Sequence, residues 1–284
     1  MALTVDLHTH STASDGSDPP ARLVALALEV GLGALALTDH DTQEGLAEAF
    51  AAAEGTGLEL IPGVELSLAY EAGAMHLIVL WLEPGRGPLQ DRLGGLQSGR
   101  TARNAEIVSR LNSAGMELTL EEVEEMAGGG TVGRPHIAAV LMERGYVPDI
   151  HTAFELWLGQ GRPAYADRER LGPEEAIALA RESGAVPVLS HPHTLGITTG
   201  PEMAALLTRL RRAGLVGLEA VYGSYRRHER EGYSDLARRF DLVPSGGSDY
   251  HGTYKPGLGL GRGFGDLAVP LKLMEELRTR VGTP

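Results

Sequence analysis

The sequence predicts an α/β protein organised around a mainly parallel sheet or barrel, and three observations carry that prediction. Short apolar runs alternate with longer helical patterns along most of the 284 residues. Most runs are too short for helices and are followed by polar or turn-forming residues. Histidines and acids gather where the runs end, and the catalytic face of a parallel barrel brings such ends together.

The strand-like runs are Leu3–Leu7, Ala34–Leu37, Leu58–Val64, Met75–Leu82, Val186–Leu189, Val216–Val221 and Leu242–Pro244. Helical patterns fall between them, near 19–31, 43–55, 173–184, 201–213, 225–240 and 270–281. Pro19-Pro20 and Pro173-Glu174-Glu175 suit helix starts, where proline loses no hydrogen bond. Strand-then-helix repetition implies parallel pairing. The stretch Glu65–Leu82 departs from it, because its turn Glu71-Ala72-Gly73 predicts an antiparallel hairpin. From about Gly85 to Tyr165 no strand pattern occurs, only helical segments separated by Gly128-Gly129-Gly130 and Tyr146-Val147-Pro148. This predicts a main domain over 1–83 and 166–284, interrupted by a helical insertion over 84–165.

Composition narrows the functional classes. A hydrophobic fraction of 43% and a charged fraction of 22% are ordinary for a soluble globular protein. No apolar run approaches the roughly 18 residues of a membrane span, and the N-terminus does not read as a secretory signal, so a cytoplasmic protein is expected. The absence of cysteine excludes disulfides, thiolate metal sites and cysteine nucleophiles. A net charge of −13 argues against coating duplex DNA. Lys255 and Lys272 are the only lysines, and neither belongs to a phosphate-binding Gly-x-x-x-x-Gly-Lys loop. A phosphate clamp must therefore be arginine, histidine or metal.

The chemistry is carried by a constellation at the strand ends. The first strand leads into His8-Thr9-His10, whose i, i+2 spacing turns both imidazoles the same way in extended chain. Asp15 follows. The second strand ends Thr38-Asp39-His40 and the third Gly63-Val64-Glu65; His76 opens the next. The fifth ends Ser190-His191-Pro192, and the seventh leads to Gly247-Ser248-Asp249-Tyr250-His251. Each residue alone reads as a hydrogen-bonded loop or turn residue. Six of the ten histidines and three acids sharing this placement read as a metal site instead, and nitrogen and oxygen donors suit manganese, iron or zinc.

In this order the motifs resemble the polymerase and histidinol phosphatase (PHP) superfamily over nearly the whole chain. The resemblance implies a distorted seven-stranded (β/α) barrel holding up to three divalent ions, manganese foremost. By position, His8, His10, Glu65 and Asp249 would hold one ion, and Asp15, His40 and His251 a second. Glu65, as a bridge, would hold a third with His76 and His191. Within the superfamily the chain is most similar to bacterial phosphoesterases with a helical insertion. Members of that group act as 3′,5′-nucleoside bisphosphate phosphatases, and some as 5′→3′ exonucleases on short RNA.

The motif Val132-Gly133-Arg134-Pro135-His136, followed by an apolar helical run, carries that narrower likeness. It reads as a phosphate clamp, with an arginine and a histidine at a helix N-terminus, which gives Arg134 and His136 catalytic and substrate-binding roles. Three divalent ions outweigh three carboxylates, so a phosphate ester is attracted despite the acidic exterior. A metal-held hydroxide would attack phosphorus in line. The expected partner is a phosphorylated small molecule or nucleotide, or short RNA ends, with no membrane and no duplex DNA. The competing readings are a histidinol phosphatase, or an inactive scaffold that would have lost ligands. Arg100, Arg103 and Arg110 recur at helical spacing and read as a solvated helix face, His151 and His228 as surface residues. Glu219, at the end of the sixth strand, is a candidate support for the ligands, and Tyr165, Tyr222 and Lys255 are candidate pocket walls.

Overall fold

The computed structural model describes residues 3–128 and 131–282. The ends of the expected main domain and the glycines at 129 and 130 lie outside the described residues. Eight strands form one sheet in the order β7-β6-β5-β4-β3-β2-β1-β8. They are β1 (Thr4–Asp6), β2 (Ala34–Leu37), β3 (Glu59–Leu68), β4 (Met75–Leu80), β5 (Val186–Leu189), β6 (Gly217–Tyr222), β7 (Val243–Gly247) and β8 (Val269–Pro270). Pairing is parallel for β1–β2, β2–β3, β5–β6 and β6–β7. It is antiparallel on both sides of β4, because the expected hairpin reverses that strand.

The sheet curls into a nearly closed barrel. Just beyond β1, the Leu7 amide donates to Gly246 (3.2 Å) and Thr9 bridges to Tyr250 in parallel. Gly247 packs against the His8 backbone and Asp6 so closely that a side chain there would collide with both. The seven expected strands are present. The eighth is the short β8, which pairs antiparallel with Thr4 and Val5; two residues are too few to leave a hydrophobic pattern in sequence.

Alternation along the strands explains both sides of the barrel wall. Ala34, Ala36, Ile61, Ile78, Leu80, Val186 and Val188 share one core cluster with residues from β1, β7 and β8. Their neighbours Leu35 and Leu37 belong instead to the cluster containing Leu23, Val24, Ala27, Leu46 and Ala49. Those residues lie on α1 (Pro20–Val30) and α2 (Leu46–Ala53). Helix α1 starts at Pro20 and ends at Gly31, whose φ of 78° suits the residue that closes a helix.

Between β4 and α7 (Pro173–Glu182) the described residues hold no strand. They form α3 (Pro88–Ser113), α4 (Leu120–Met126), α5 (Arg134–Glu143) and α6 (Ile150–Ala153), the last running into a π-helical turn over Phe154–Leu158. Helix α3 belongs to two environments. Leu89, Leu93 and Leu96 pack with Ala176, Ile177 and the outer face of the sheet. Ile107, Val108 and Leu111 pack with Val123, Ile137 and Leu141, in a core drawn entirely from residues 107–166. Helices α8 (Gly200–Arg212), α9 (Arg227–Arg239) and α10 (Leu271–Arg278) complete the chain. No helix among the described residues is long and apolar enough to cross a membrane.

Candidate metal centre

The C-terminal ends of β1, β2, β5 and β7 meet at one mouth of the barrel. Strand β4 begins there because it runs the other way, so His76 near its start arrives at the same place as His8, His40, His191 and Asp249. Glu65 arrives differently. Strand β3 does not end at Glu65, as its apolar pattern suggests, but continues to Leu68 because its second half pairs with β4. Ser67 lies directly opposite His76. Residues two apart on a strand, and residues opposite across a pair, share a face, so Glu65 and His76 project to the same side.

All nine side chains converge. His8 Nε2 and His10 Nε2 are 3.0 Å apart, and each lies 3.3 Å from Glu65 Oε2 and 3.4 Å from Asp249 Oδ1. Asp15 faces His251 at 3.4 Å, His10 at 3.7 Å and His40 at 3.8 Å. The other oxygen of Glu65, Oε1, lies 3.0 Å from His191 Nε2 and 3.2 Å from His76 Nδ1. Glu65 thus divides its two oxygens between two groups of imidazoles.

Neighbouring groups fix these side chains. Glu219, fully buried on β6, accepts from His8 Nδ1 (2.9 Å) and from the His191 amide (2.7 Å). A histidine held through one ring nitrogen presents the other with a defined lone pair. Tyr222 donates to Asp249 Oδ2 (2.6 Å), and Lys255 pairs with the same oxygen. Asp249 itself has φ 57°, a left-handed conformation that aspartate tolerates better than most residues. Asp39 is not among the converging donors. Its carboxylate accepts from the Ser11 amide and the Ser11 and Ser14 hydroxyls at 2.6–2.8 Å, which shapes the loop carrying Asp15.

The electrostatics suit cations. Burial alone would lower His8, but Glu65, Glu219 and Asp249 hold it well above the ordinary imidazole range. His10 is lowered by burial and then raised to about 9, chiefly by hydrogen bonds to Asp249 and Glu65. Burial opposes ionisation of Glu65, yet His8, His40 and His76 keep its carboxyl well below normal. Burial drives His40 down to about 3 against the pull of Asp15 and Glu65. The carboxylates demand positive charge, and without an ion they draw protons onto His8 and His10. His10 Nδ1 and His40 Nδ1 are buried without hydrogen-bond partners. Four overlapping groups have donor atoms within 4.8 Å of one another: His10, Asp15, His40 and His251; His8, His191 and Asp249; His8, His10 and Glu65; His40, Glu65 and His76. The donor set fits divalent metal ions.

Beside this centre opens a cavity of about 330 Å³ whose lining includes Asp15, His40 and His76. Arg100, Arg103, Arg134, Arg168 and Arg170 line it as well. Arg100 and Arg103 do not form a solvated helix face: both are buried. Arg110 on the same helix is exposed, paired with Glu106. The signal was available, because Leu89, Leu93, Leu96, Arg100, Arg103, Ile107 and Leu111 trace one buried stripe along α3. Arg168 and Arg170 carry no comparable signal, because the charged run Asp167-Arg168-Glu169-Arg170 looks like any solvated loop. Asp41, equally without a signal in sequence, is fully buried and pairs with Arg100 and Arg168.

Arg134 begins α5, its guanidinium over the rings of Phe154 (5.6 Å) and Tyr165 (6.0 Å). Its Nη1 donates to the Leu158 carbonyl at 3.3 Å. His136, two residues on, is buried with Nδ1 accepting the Gly133 amide at 3.0 Å, and is not among the residues lining the cavity. His193 hydrogen-bonds Tyr225 at 2.9 Å, and His151 and His228 are exposed.

A barrel mouth that gathers six imidazoles and three carboxylates beside a cationic cavity defines a metal-dependent hydrolase of anionic esters. Comparison with known proteins agrees. Residues 6–128 match the PHP domain. The chain is 34% identical over 251 residues to a 5′-3′ exoribonuclease of Haemophilus influenzae, covering 88% of this chain and 91% of that one. It is 29% identical over 283 residues to a 3′,5′-nucleoside bisphosphate phosphatase of Chromobacterium violaceum, covering 99% and 98%. A solved structure from the same organism, described as an amidohydrolase with bound sulfate and no metal, superposes with a TM-score of 0.87 at 30% identity, covering 98% and 97%. The chain belongs to the PHP family and is a metal-dependent phosphoesterase.

Proposed function

We propose that this protein is a cytoplasmic phosphatase that removes the 3′-phosphate from nucleoside 3′,5′-bisphosphates, with short 5′-phosphorylated RNA as a second substrate. The observation that carries this reading is the shared cavity, which candidate metal ligands and five arginines line together. A simple monoester needs only the metal ligands, whereas a second phosphate gives the arginines a counter-ion. The C. violaceum bisphosphate phosphatase, alike over nearly its full length, supports the choice.

Three ions are proposed, with manganese the first choice among metals suited to oxygen and nitrogen donors. His8, His10, Glu65 and Asp249 would hold one, Asp15, His40 and His251 another, and Glu65, His76 and His191 the third. Bound there, the ions supply Lewis acidity and a nucleophile at neutral pH. The chain's own residues do the rest. Glu219 keeps His8 and the His191 backbone in place, and Tyr222 with Lys255 fixes Asp249. Arg134, at the start of α5, offers charge-assisted hydrogen bonds to phosphate oxygens. With Nδ1 occupied by the Gly133 amide, His136 presents Nε2–H as its remaining donor. Residues 84–165 act in this reading as a helical subdomain, and those on either side form the barrel domain. The subdomain supplies Arg100, Arg103 and Arg134 to the cavity.

The test is a steady-state panel on the metal-reconstituted enzyme with adenosine 3′,5′-bisphosphate, a short 5′-phosphorylated RNA and histidinol phosphate. The bisphosphate should have the highest kcat/KM. Preference for histidinol phosphate would overturn the reading.

A further inference from the structure

Asp6, the last residue of β1, is fully buried, and no arginine, lysine or histidine side chain pairs with it among the described residues. A buried carboxylate is costly unless something compensates it. Here hydrogen-bond donors alone do so. Oδ1 accepts from the His8 amide (3.3 Å) and the Ser248 amide (2.8 Å). Oδ2 accepts from the Ser248 hydroxyl (2.6 Å) and the Gly261 amide (2.7 Å). Four donors thus meet a group that is all acceptor. An asparagine has one oxygen, so its NH2 would face at least one backbone amide in either orientation.

These donors come from both sides of the seam that closes the barrel. Asp6 and His8 belong to β1 and the loop after it, whereas Ser248 follows β7. Across the seam the Asp249 amide donates to the His8 carbonyl (2.9 Å) and the His10 amide to that of Tyr250 (3.0 Å). Gly261, at φ 67°, takes the left-handed backbone that favours glycine, and its amide reaches Asp6 from a third segment. What the seam separates is candidate metal ligands. His8 Nε2 and His10 Nε2 stand on one side, and Asp249 Oδ1, 3.4 Å from each, on the other. The His10 and His251 rings stack across it with centroids 4.1 Å apart. A metal site requires ligand distances good to about 0.2 Å, a tighter demand than closing a barrel makes.

We infer that Asp6 is a positioning residue of the metal centre, whose carboxylate clamps the backbones of the His8–His10 and Asp249–His251 segments at a spacing that one ion can bridge. It acts on the main chain, where Glu219 acts on the His8 ring. Ser248, through both its amide and its hydroxyl, ties Asp6 to the residue next to Asp249. This role rests on the ligand set proposed above, because Asp6 itself touches neither ion nor substrate.

In the experiment, metal-free protein is titrated with Mn²⁺ and the free ion is read by electron paramagnetic resonance. The variants are Asp6→Asn and Ser248→Ala, the second removing one donor while leaving the carboxylate. Leu207→Ala empties a buried position of α8 away from the seam and controls for general destabilisation. All are compared at a temperature where circular dichroism shows them folded. Asp6→Asn should raise the midpoint of Mn²⁺ binding about 10-fold or more, the scale of disturbing a group behind a ligand. Ser248→Ala should raise it less, and Leu207→Ala should leave it unchanged although its thermal midpoint falls. An unchanged Mn²⁺ midpoint in Asp6→Asn overturns the role, as does an equal rise in Leu207→Ala. If Asp6→Asn does not fold, Ser248→Ala decides: a raised midpoint upholds the role and an unchanged one overturns it. Wild-type protein that binds no Mn²⁺ overturns the ligand set itself, and the role of Asp6 falls with it.

Discussion

Glu219 Oε1 lies 2.9 Å from His8 Nδ1, and both residues are sealed from solvent. They are 211 positions apart, joined only because β6 and the residues after β1 reach the same barrel mouth. The second oxygen of Glu219 takes the His191 amide, so one carboxylate orients two candidate ligands. Glu219→Gln keeps the size but removes the charge that favours His8 Nδ1–H. Metal affinity should fall about 10- to 100-fold, the usual cost of disturbing a partner behind a ligand. Titration of the metal-free protein with Mn²⁺ checks this, and an unchanged affinity would reduce Glu219 to a packing role.

Glu65 is the second test. Its Oε2 faces His8, His10 and His40 at 3.3 Å, whereas Oε1 faces His76 and His191. Removing it opens two groups of donors at once. Glu65→Ala should therefore lower metal content by elemental analysis more than His193→Ala, whose imidazole is bonded to Tyr225. Equal losses would count against a bridging carboxylate.

Arg134→Ala separates binding of the second phosphate from chemistry. Loss of one charge-assisted contact is worth roughly 1.5–3 kcal/mol, or on the order of 10- to 150-fold in kcat/KM for adenosine 3′,5′-bisphosphate. Four other arginines line the same cavity, so the lower end of that range is expected. A simple aryl phosphate should be much less affected. Equal losses would place Arg134 on the reacting phosphate, and no loss with either would remove it from the site.

Asp41 links pH to stability. Burial opposes its ionisation, but Arg100 and Arg168 hold its carboxyl at about 2, below the ordinary value near 4. A depressed folded-state value means that the ionised pair contributes stability above the unfolded value. That contribution fades as pH falls through the folded one. Asp41→Asn should thus be clearly destabilised at pH 7 in denaturant melts, and the gap to wild type should shrink below about pH 4. A gap independent of pH would show that the charge of Asp41 stabilises nothing.

Much was legible in the chain itself. Four-residue apolar runs, followed by Thr38 and Ser190, locate β2 and β5 as observed, because short apolar runs and the polar residues that end them are local features. Most of the metal-type residues could be read because they sit near strand ends, which are local features; Glu65, inside β3, and Asp15, in the loop after β1, are exceptions. The proline start and glycine stop of α1 are likewise written in neighbouring residues. What sequence could not supply depends on pairing across long separations. Strand β3 runs past Glu65 only because β4 offers it a partner, and β8 exists only because β1 has a free edge. Arg100 and Arg103 share a helical stripe with Leu96 and Ile107, which marks them for burial, but only the fold brings Asp41 and Arg168 to Arg100. The chain by itself determined which donors approach the barrel mouth. Tertiary packing alone decided which cations would stand uncompensated beside them, because electrostatic compensation is a property of distance in space and not of order along the chain.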